Sequence, residues 1–278
     1  MRVTGFATVI SIVTVLVTLA GAQTAANDEY ETLADEVLNN STFDWVLVKS
    51  DRVRMHYQPG SFAEQHRFMI LRSLDSAVEE ALETLEESRY EGGLRAFYFE
   101  SREEMERAVG RPVAGFSDWG GNAIYIVLNK DWRSFEVHEF THVVTMGAWG
   151  SPHDSCGWMI EGIANAIDGW CREYMIDEVV LHLLGEEQLP PLGEFFEDSG
   201  ELGEIRAGFY GASFIRFLSE VYGAETVREL WSQGTGALPE LLDASLDAIE
   251  DRWKSYVKTK VPSPREIDLE AINDVGCG

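Results

Sequence analysis

Apolar residues follow two different rhythms along this chain. Up to about residue 130, short alternating runs are interleaved with longer helical ones; beyond it the helical period dominates. Val53, Met55 and Tyr57 alternate with Arg52, Arg54 and His56, the period-two pattern of a half-buried strand, and Pro59-Gly60 ends the run. Phe43 to Val48 reads as a partner strand joined through Ser50-Asp51. Leu94 to Phe99 and Ala123 to Leu128 are two further strands, the second the clearest in the chain. Phe68, Leu71, Leu74, Val78, Leu82 and Leu85 recur at helical spacing. They predict a helix from Ser61 to about Ser88, with Ser61 as its cap and Glu64 placed for a capping box. Arg102 to Val109 is a short helix closed by Gly110, and Gly115 to Gly121 reads as a glycine-rich loop.

From about Ser134, a plausible helix cap, the pattern is nearly all helical. The segments are a helix begun there, then Trp158–Ile167, Arg172–Leu184, Glu204–Tyr222, Thr226–Trp231, Leu238–Leu242 and Ala248–Lys260. Pro190-Pro191 interrupts them, and the stretch after Pro262 is irregular. The expected architecture is α+β: a small mixed-sheet N-terminal subdomain, then a mainly helical C-terminal subdomain, with the active-site cleft between them. Residues 43–262 form the expected domain. Residues 23–42 read as linker or a short helix, with an amphipathic stretch around Leu33, Val37 and Leu38, and 263–278 read as a tail.

The first 22 residues change the expected location. Met1-Arg2 gives a short positive start, Val3 to Ala20 carries no charge, and Ala20-Gly21-Ala22 fits a small-x-small cleavage site before Gln23. This reads as an export signal, with an uncleaved anchor as the alternative because the apolar run is long. The protein is expected to be extracytoplasmic. Among three cysteines, Cys156 and Cys171 flank one helix and are candidates for a bridge. Cys277 is a competing partner, and a merely buried Cys171 is an equal alternative.

A net charge of −26 bears on partners. A nucleic-acid ligand needs lysine and arginine to neutralise its phosphates, and anionic lipid heads do likewise. Neither is expected, apart from a membrane tether at the N-terminus.

The chemistry concentrates at His138-Glu139-Phe140-Thr141-His142. On a helix this H-E-x-x-H pattern puts two imidazoles one turn apart on one face, with a carboxylate between them. Zn²⁺ in a hydrolase takes three protein ligands and keeps a fourth position open. His138 and His142 supply two, and Glu161 in Trp158-Met159-Ile160-Glu161-Gly162-Ile163-Ala164 is the candidate third. Gly162 and Ala164 keep the surface beside Glu161 small, so that a second helix can come close. Glu139 is the candidate general base, taking a proton from the attacking water and passing it to the leaving amine. Asn165 and Asp168, one and two turns beyond Glu161, are candidates to hold a ligand histidine by its spare N–H. Tyr210 is the candidate oxyanion donor, with His153 as the alternative. Ala123, Ile124 and Tyr125 are the candidate edge strand that an extended peptide would pair with. Trp119, Trp132, Trp149, Trp158 and Trp170 crowd around the motif and read as core rather than substrate wall.

His-Glu-Phe-Thr-His, eighteen residues, then Glu followed by Gly-Ile-Ala resembles the gluzincin metallopeptidases, with the spacing of the aminopeptidase-N-like branch. From about Val53 to Tyr256 the chain looks like the single-unit peptidase MA-like domains of exported bacterial proteins. The strand Ala123–Leu128, the helix around Tyr210–Phe214 and the closing helix at Trp253–Tyr256 carry that part of the likeness. The resemblance implies a zincin-like fold, zinc at His138, His142 and Glu161, Glu139 as base, Tyr210 as transition-state donor and a peptide or protein substrate. One element departs: Gly120-Gly121-Asn122-Ala123 stands where the aminopeptidases carry Gly-x-Met-Glu-Asn to hold a free amine, which leaves endopeptidase cleavage open. Two other readings remain, an exported scaffold that keeps the fold and cuts nothing, and a hydrolase of non-peptide substrates.

Overall fold

A computed structural model of the chain describes residues 32–275 except Arg89, Glu91, Gly92, Trp132–Ser134, Pro262 and Pro264, and except the side chains of 273–275. The expected export signal, the Ser134 cap and Cys277 lie outside the described residues. Thr32–Gly278 forms one unit of contacts. Among the described residues no helix is long and apolar enough to cross a membrane.

The chain opens with α1 (Leu33–Asn39), capped by Thr32 and Asp35 in a reciprocal capping box. Then follow β1 (Val46–Lys49), β2 (Val53–Tyr57), α2 (Phe62–Thr84), β3 (Leu94–Phe99), α3 (Arg102–Val109), β4 (Gly115–Asp118) and β5 (Ala123–Val127). The five strands make one mixed sheet in the order β1-β2-β3-β5-β4. β2, β3 and β5 run parallel, while β1 and β4 are antiparallel edges. Helices cover both faces, which is why β5 reads as a near-continuous apolar run. Ile124 and Ile126 join the larger core, under α2 and the metal-motif helix. Ala123, Tyr125 and Val127 join a smaller core that includes residues of α1 and α3. Of the linker and short-helix readings of this stretch the structure takes the second: residues 33–39 are a packed helix, with Ala34 and Val37 buried.

β5 lies inside the sheet, bonded to β3 on one side and β4 on the other, with Ala123, Ile124 and Tyr125 fully buried. This corrects the expectation of a substrate-pairing strand there. The edge is β4, in the segment expected to be a loop.

In α2, Ser61 Oγ accepts from the Glu64 amide at 3.1 Å, as the cap requires. The Glu64 carboxylate returns to the Gly60 amide at 2.7 Å rather than to that of Ser61. The buried stripe is Ala63, Ile70, Leu74, Ala77, Val78 and Ala81. Phe68, expected inside, is 67% exposed and carries the Arg67 guanidinium 4.7 Å from its ring centre.

Beyond the sheet come α4 (Glu136–Trp149), α5 (Trp158–Asp168), a two-stranded β6 (Trp170–Cys171) and β7 (Tyr174–Met175), α6 (Ile176–Gly185) and α7 (Leu192–Glu197). They are followed by α8 (Glu204–Tyr222), α9 (Ala224–Gln233), α10 (Leu238–Leu241), α11 (Leu246–Lys260) and α12 (Leu269–Val275). α8 is the axis of this half, with α5, α6, α9 and α11 packed around it. A Cβ built on Gly162 of α5 would stand 3.2 Å from the Gly211 carbonyl carbon of α8. One built on Gly211 would stand 3.0 Å from the Trp158 ring. The close approach expected of Gly162 is thus made to α8. A buried chain of hydrogen bonds ties three helices together: Ser213 Oγ donates to Asp177 at 2.8 Å and accepts from Trp253 Nε1 at 3.1 Å. Arg216 stands 3.3 Å from the same Asp177.

The stretch after Pro262 is not a loose tail. Ile267 and Ile272 enter the larger core, and the Arg265 guanidinium grips both Glu178 oxygens, at 2.9 and 2.7 Å. Cys156 is a free, buried thiol and Cys171 is held in a disulfide, so the two flanking cysteines are not bridged to each other.

Candidate metal centre

β5 passes into α4 through a short connection, and α4 is wedged between the sheet and α5. Tyr98 of β3 anchors its first turn by donating to Glu136 Oε1 at 2.8 Å. Phe140, Val143 and Val144 point into the core, so the remaining faces are assigned: His138 and His142 to α5, Glu139 to β4.

His138 Nε2 and His142 Nε2 lie 3.2 Å apart. The two Glu161 oxygens stand one against each ring, 3.3 Å from His138 Nε2 and 3.5 Å from His142 Nε2. Two donors held at zinc distances with a tetrahedral angle lie about 3.3 Å apart, so the spacing suits that ion. The donor set, two imidazoles and one carboxylate, leaves one tetrahedral position free, and the Glu161 side chain is 47% exposed. His138, His142 and Glu161 therefore fit zinc in both chemistry and spacing.

Burial works against charge on both rings, and their surroundings separate them. On His138 the Glu161 contact and the charges of Glu139, Glu161 and Asp168 outweigh burial and raise its pKa. His142 falls to about 4 through burial and the neighbouring His138. Burial lifts Glu139 to about 7, against the pull of His138 and of Ser117.

Glu139 lies against the edge strand. Gly115 and Ser117 are two apart on β4 and opposite Ile126 and Ile124, so both face α4. A Cβ on Gly115 would sit 2.3 Å from Glu139 Oε1. These two residues were missed by sequence reasoning; the available signal was a glycine and a serine at i and i+2 shortly before the best strand.

The remaining candidates fall elsewhere. The Asn165 amide nitrogen lies where a Cβ on Gly208 of α8 would be 2.9 Å away. Asp168 acts on His138 by its charge and also lines a separate cavity behind α5. His142 Nδ1 is buried with no hydrogen-bond partner among the described residues, so neither Asn165 nor Asp168 orients that ring. Tyr210 is wholly buried two turns inside α8, between Phe195 and Trp253 at ring-centre distances of 4.2 and 4.8 Å. Its hydroxyl donates to the Pro190 carbonyl at 2.9 Å. That corrects its expected role, because a donor to substrate needs a free and reachable hydroxyl. His153 caps the turn at Asp154–Cys156 through the Ser155 amide and packs against Gly234. Of the tryptophans near the motif, Trp158 is buried and Trp149 partly so. Trp119 and Trp170 are about half exposed, and Trp132 lies outside the described residues.

No protein-family profile and no curated protein matches the chain. The functional reading rests on the residues themselves.

Proposed function

We propose that this protein is a zinc-dependent hydrolase of peptide bonds, a gluzincin-type peptidase of zincin-like fold acting outside the cytoplasm. The carrying observation is the meeting of His138, His142 and Glu161 donor atoms 3.2–3.5 Å apart, with Glu139 on the adjoining face of the same helix. Zinc held by these three side chains supplies a Lewis acid and brings the pKa of a water near neutrality.

The chain's own residues supply the rest. Glu139, buried against β4, takes the proton of the attacking water and returns it to the amine that leaves. Gly115 gives its carboxylate a seat free of any Cβ, and Ser117 lies beside it. β4 pairs with β5 alone among the described strands, so its outer edge is open to an extended peptide. Such pairing carries the substrate backbone alongside Glu139, an arrangement that favours peptides over small esters.

The test is metal content and cleavage together. Protein purified after growth with zinc should hold about one zinc per chain and lose its peptidase activity on chelation, with recovery on zinc addition. Less than about half an equivalent of zinc would sink the metal reading. A fully loaded protein that cuts nothing in a denatured peptide library would sink the peptidase reading.

Gly115→Ala tests the seat. The obstructing atom is the end of a flexible side chain, so folding should lose less than about 1 kcal/mol. The displaced carboxylate should still cost about 10- to 100-fold in turnover. Unchanged turnover would show that Glu139 is not held by β4.

A further inference from the structure

β4 has a bonded side and an open side, and the hydrogen bonds around it fix which backbone groups lie on each. The Val127 amide donates to the Ala114 carbonyl at 2.8 Å, while the Leu128 amide donates to Phe99 of β3 at 2.8 Å. Odd-numbered backbone groups along β5 therefore turn to β4 and even-numbered ones to β3. In the observed register Phe116 faces Tyr125 and Asp118 faces Ala123, so Phe116 and Asp118 are the β4 residues bonded to β5. The N–H and C=O of Gly115 and Ser117 point the other way, at the open edge. These are the two residues beside the Glu139 carboxylate. An extended chain laid on this edge bonds to Gly115 and Ser117. Its residue facing Phe116 then forms a non-hydrogen-bonded pair, the kind in which side chains come closest.

Phe116 ends a row of rings across the sheet. His56, Phe97, Tyr125 and Phe116 stack in turn, with centres 4.8, 5.1 and 5.7 Å apart. Tyr125 covers one face of the Phe116 ring. The Arg111 guanidinium lies over the same ring, 4.4 Å from its centre, and so takes the other face, the one turned to the open edge. The backbone holds it there: Gly110 closes α3 in the left-handed region at φ 74°, and Pro112 keeps Arg111 extended. The chain has 48 acidic side chains to 22 basic ones, yet no carboxylate among the described residues pairs with Arg111. Glu139 lies on the opposite face of β4. Asp118 shares the Phe116 face but is turned into its own loop, accepting from the Gly121 amide at 3.0 Å.

We propose that Arg111 is a specificity-determining residue that selects aspartate or glutamate at the substrate position facing Phe116. Because Glu139 sits against Gly115 and Ser117, that position falls within about two residues of the bond that is cut. The selection rests on the peptidase reading above and gives it a substrate class, peptides with an acidic side chain beside the scissile bond. A guanidinium stacked flat on a ring keeps its N–H edge free, and a carboxylate meets that edge in bidentate fashion.

Zinc-loaded wild type is run on a library of unstructured peptides, and the residues around each cut are counted. One position within about two residues of the cut should be enriched in aspartate and glutamate. A single peptide is then made with Glu, Gln or Lys at that position. kcat/KM should fall about fivefold from Glu to Gln and about fivefold again from Gln to Lys. Arg111→Ala should bring the Glu and Gln peptides within about twofold of each other, and Arg111→Glu should invert the order so that the Lys peptide is cut best. Arg111 is exposed, so both variants should keep the zinc content and melting temperature of wild type. Cutting with no acidic preference, or a wild-type order of peptides in both variants, overturns the role of Arg111 and leaves the peptidase reading standing. A zinc-loaded protein that cuts nothing overturns both.

Discussion

Glu139→Gln is expected to leave a folded, zinc-loaded protein that has lost about three orders of magnitude in peptide cleavage. Glutamine keeps the length and nearly the shape of the side chain, so it still fits between Gly115 and Ser117, and no ligand atom is removed. What disappears is a group that can accept a proton. Zinc content, melting temperature and cleavage rate should be measured on one preparation. Equal rates for wild type and variant, with equal zinc, would remove Glu139 from the mechanism. Equal loss of zinc and rate would make it a structural residue instead. The converse change, His142→Ala, strips a ligand and should lower zinc and rate together.

The largest effect on stability is expected from Gly211→Val, well away from any reacting atom. At Gly211 a single Cβ would already stand 3.0 Å from the Trp158 ring and 3.3 Å from the Gly162 Cα. A β-branched side chain in a helix has one favoured rotamer and cannot swing clear, so α5 and α8 must separate. Overpacking of this kind costs about 3 kcal/mol. For a domain of this size that lowers the melting temperature by roughly 6–12 °C. Glu161 immediately precedes Gly162, so the displaced α5 should also hold zinc less well, linking a packing defect to the metal centre. A melting temperature within about 1 °C of wild type would mean that the two helices have slack at this crossing.

These two expectations differ in how far they were legible in the sequence. The H-E-x-x-H helix, Glu161 and β5 carry strong local signals, a fixed motif spacing or a long apolar run, and the structure forms those elements where expected. β4 was hidden because the site dictates its composition. Strands favour bulky side chains, yet the two β4 positions beside Glu139 are glycine and serine, the residues that leave room for a carboxylate. The inner face of α2 was misread toward Phe68 because its buried stripe relies on Ala63, Ala77 and Ala81, small residues that carry little weight in a hydrophobic pattern. Tyr210 lies in a helix whose expected span, Glu204–Tyr222, is the one observed; its ring is stacked between Phe195 and Trp253. No local signal distinguishes a hydroxyl bonded to a distant carbonyl from one aimed at a substrate.

The packing of Ile267 and Ile272 has a consequence in time. These residues fill the same core as the helices that carry the metal ligands, and Arg265 fastens them there through Glu178. Both come after α4, α5 and α8 in chain order. A nascent chain therefore has its motif, its sheet and its central helix long before it has the pieces that close the core around them. Contacts so distant in sequence form late and slowly. A chain interrupted before Ile267 would carry His138, Glu139, His142 and Glu161 but not the closed core.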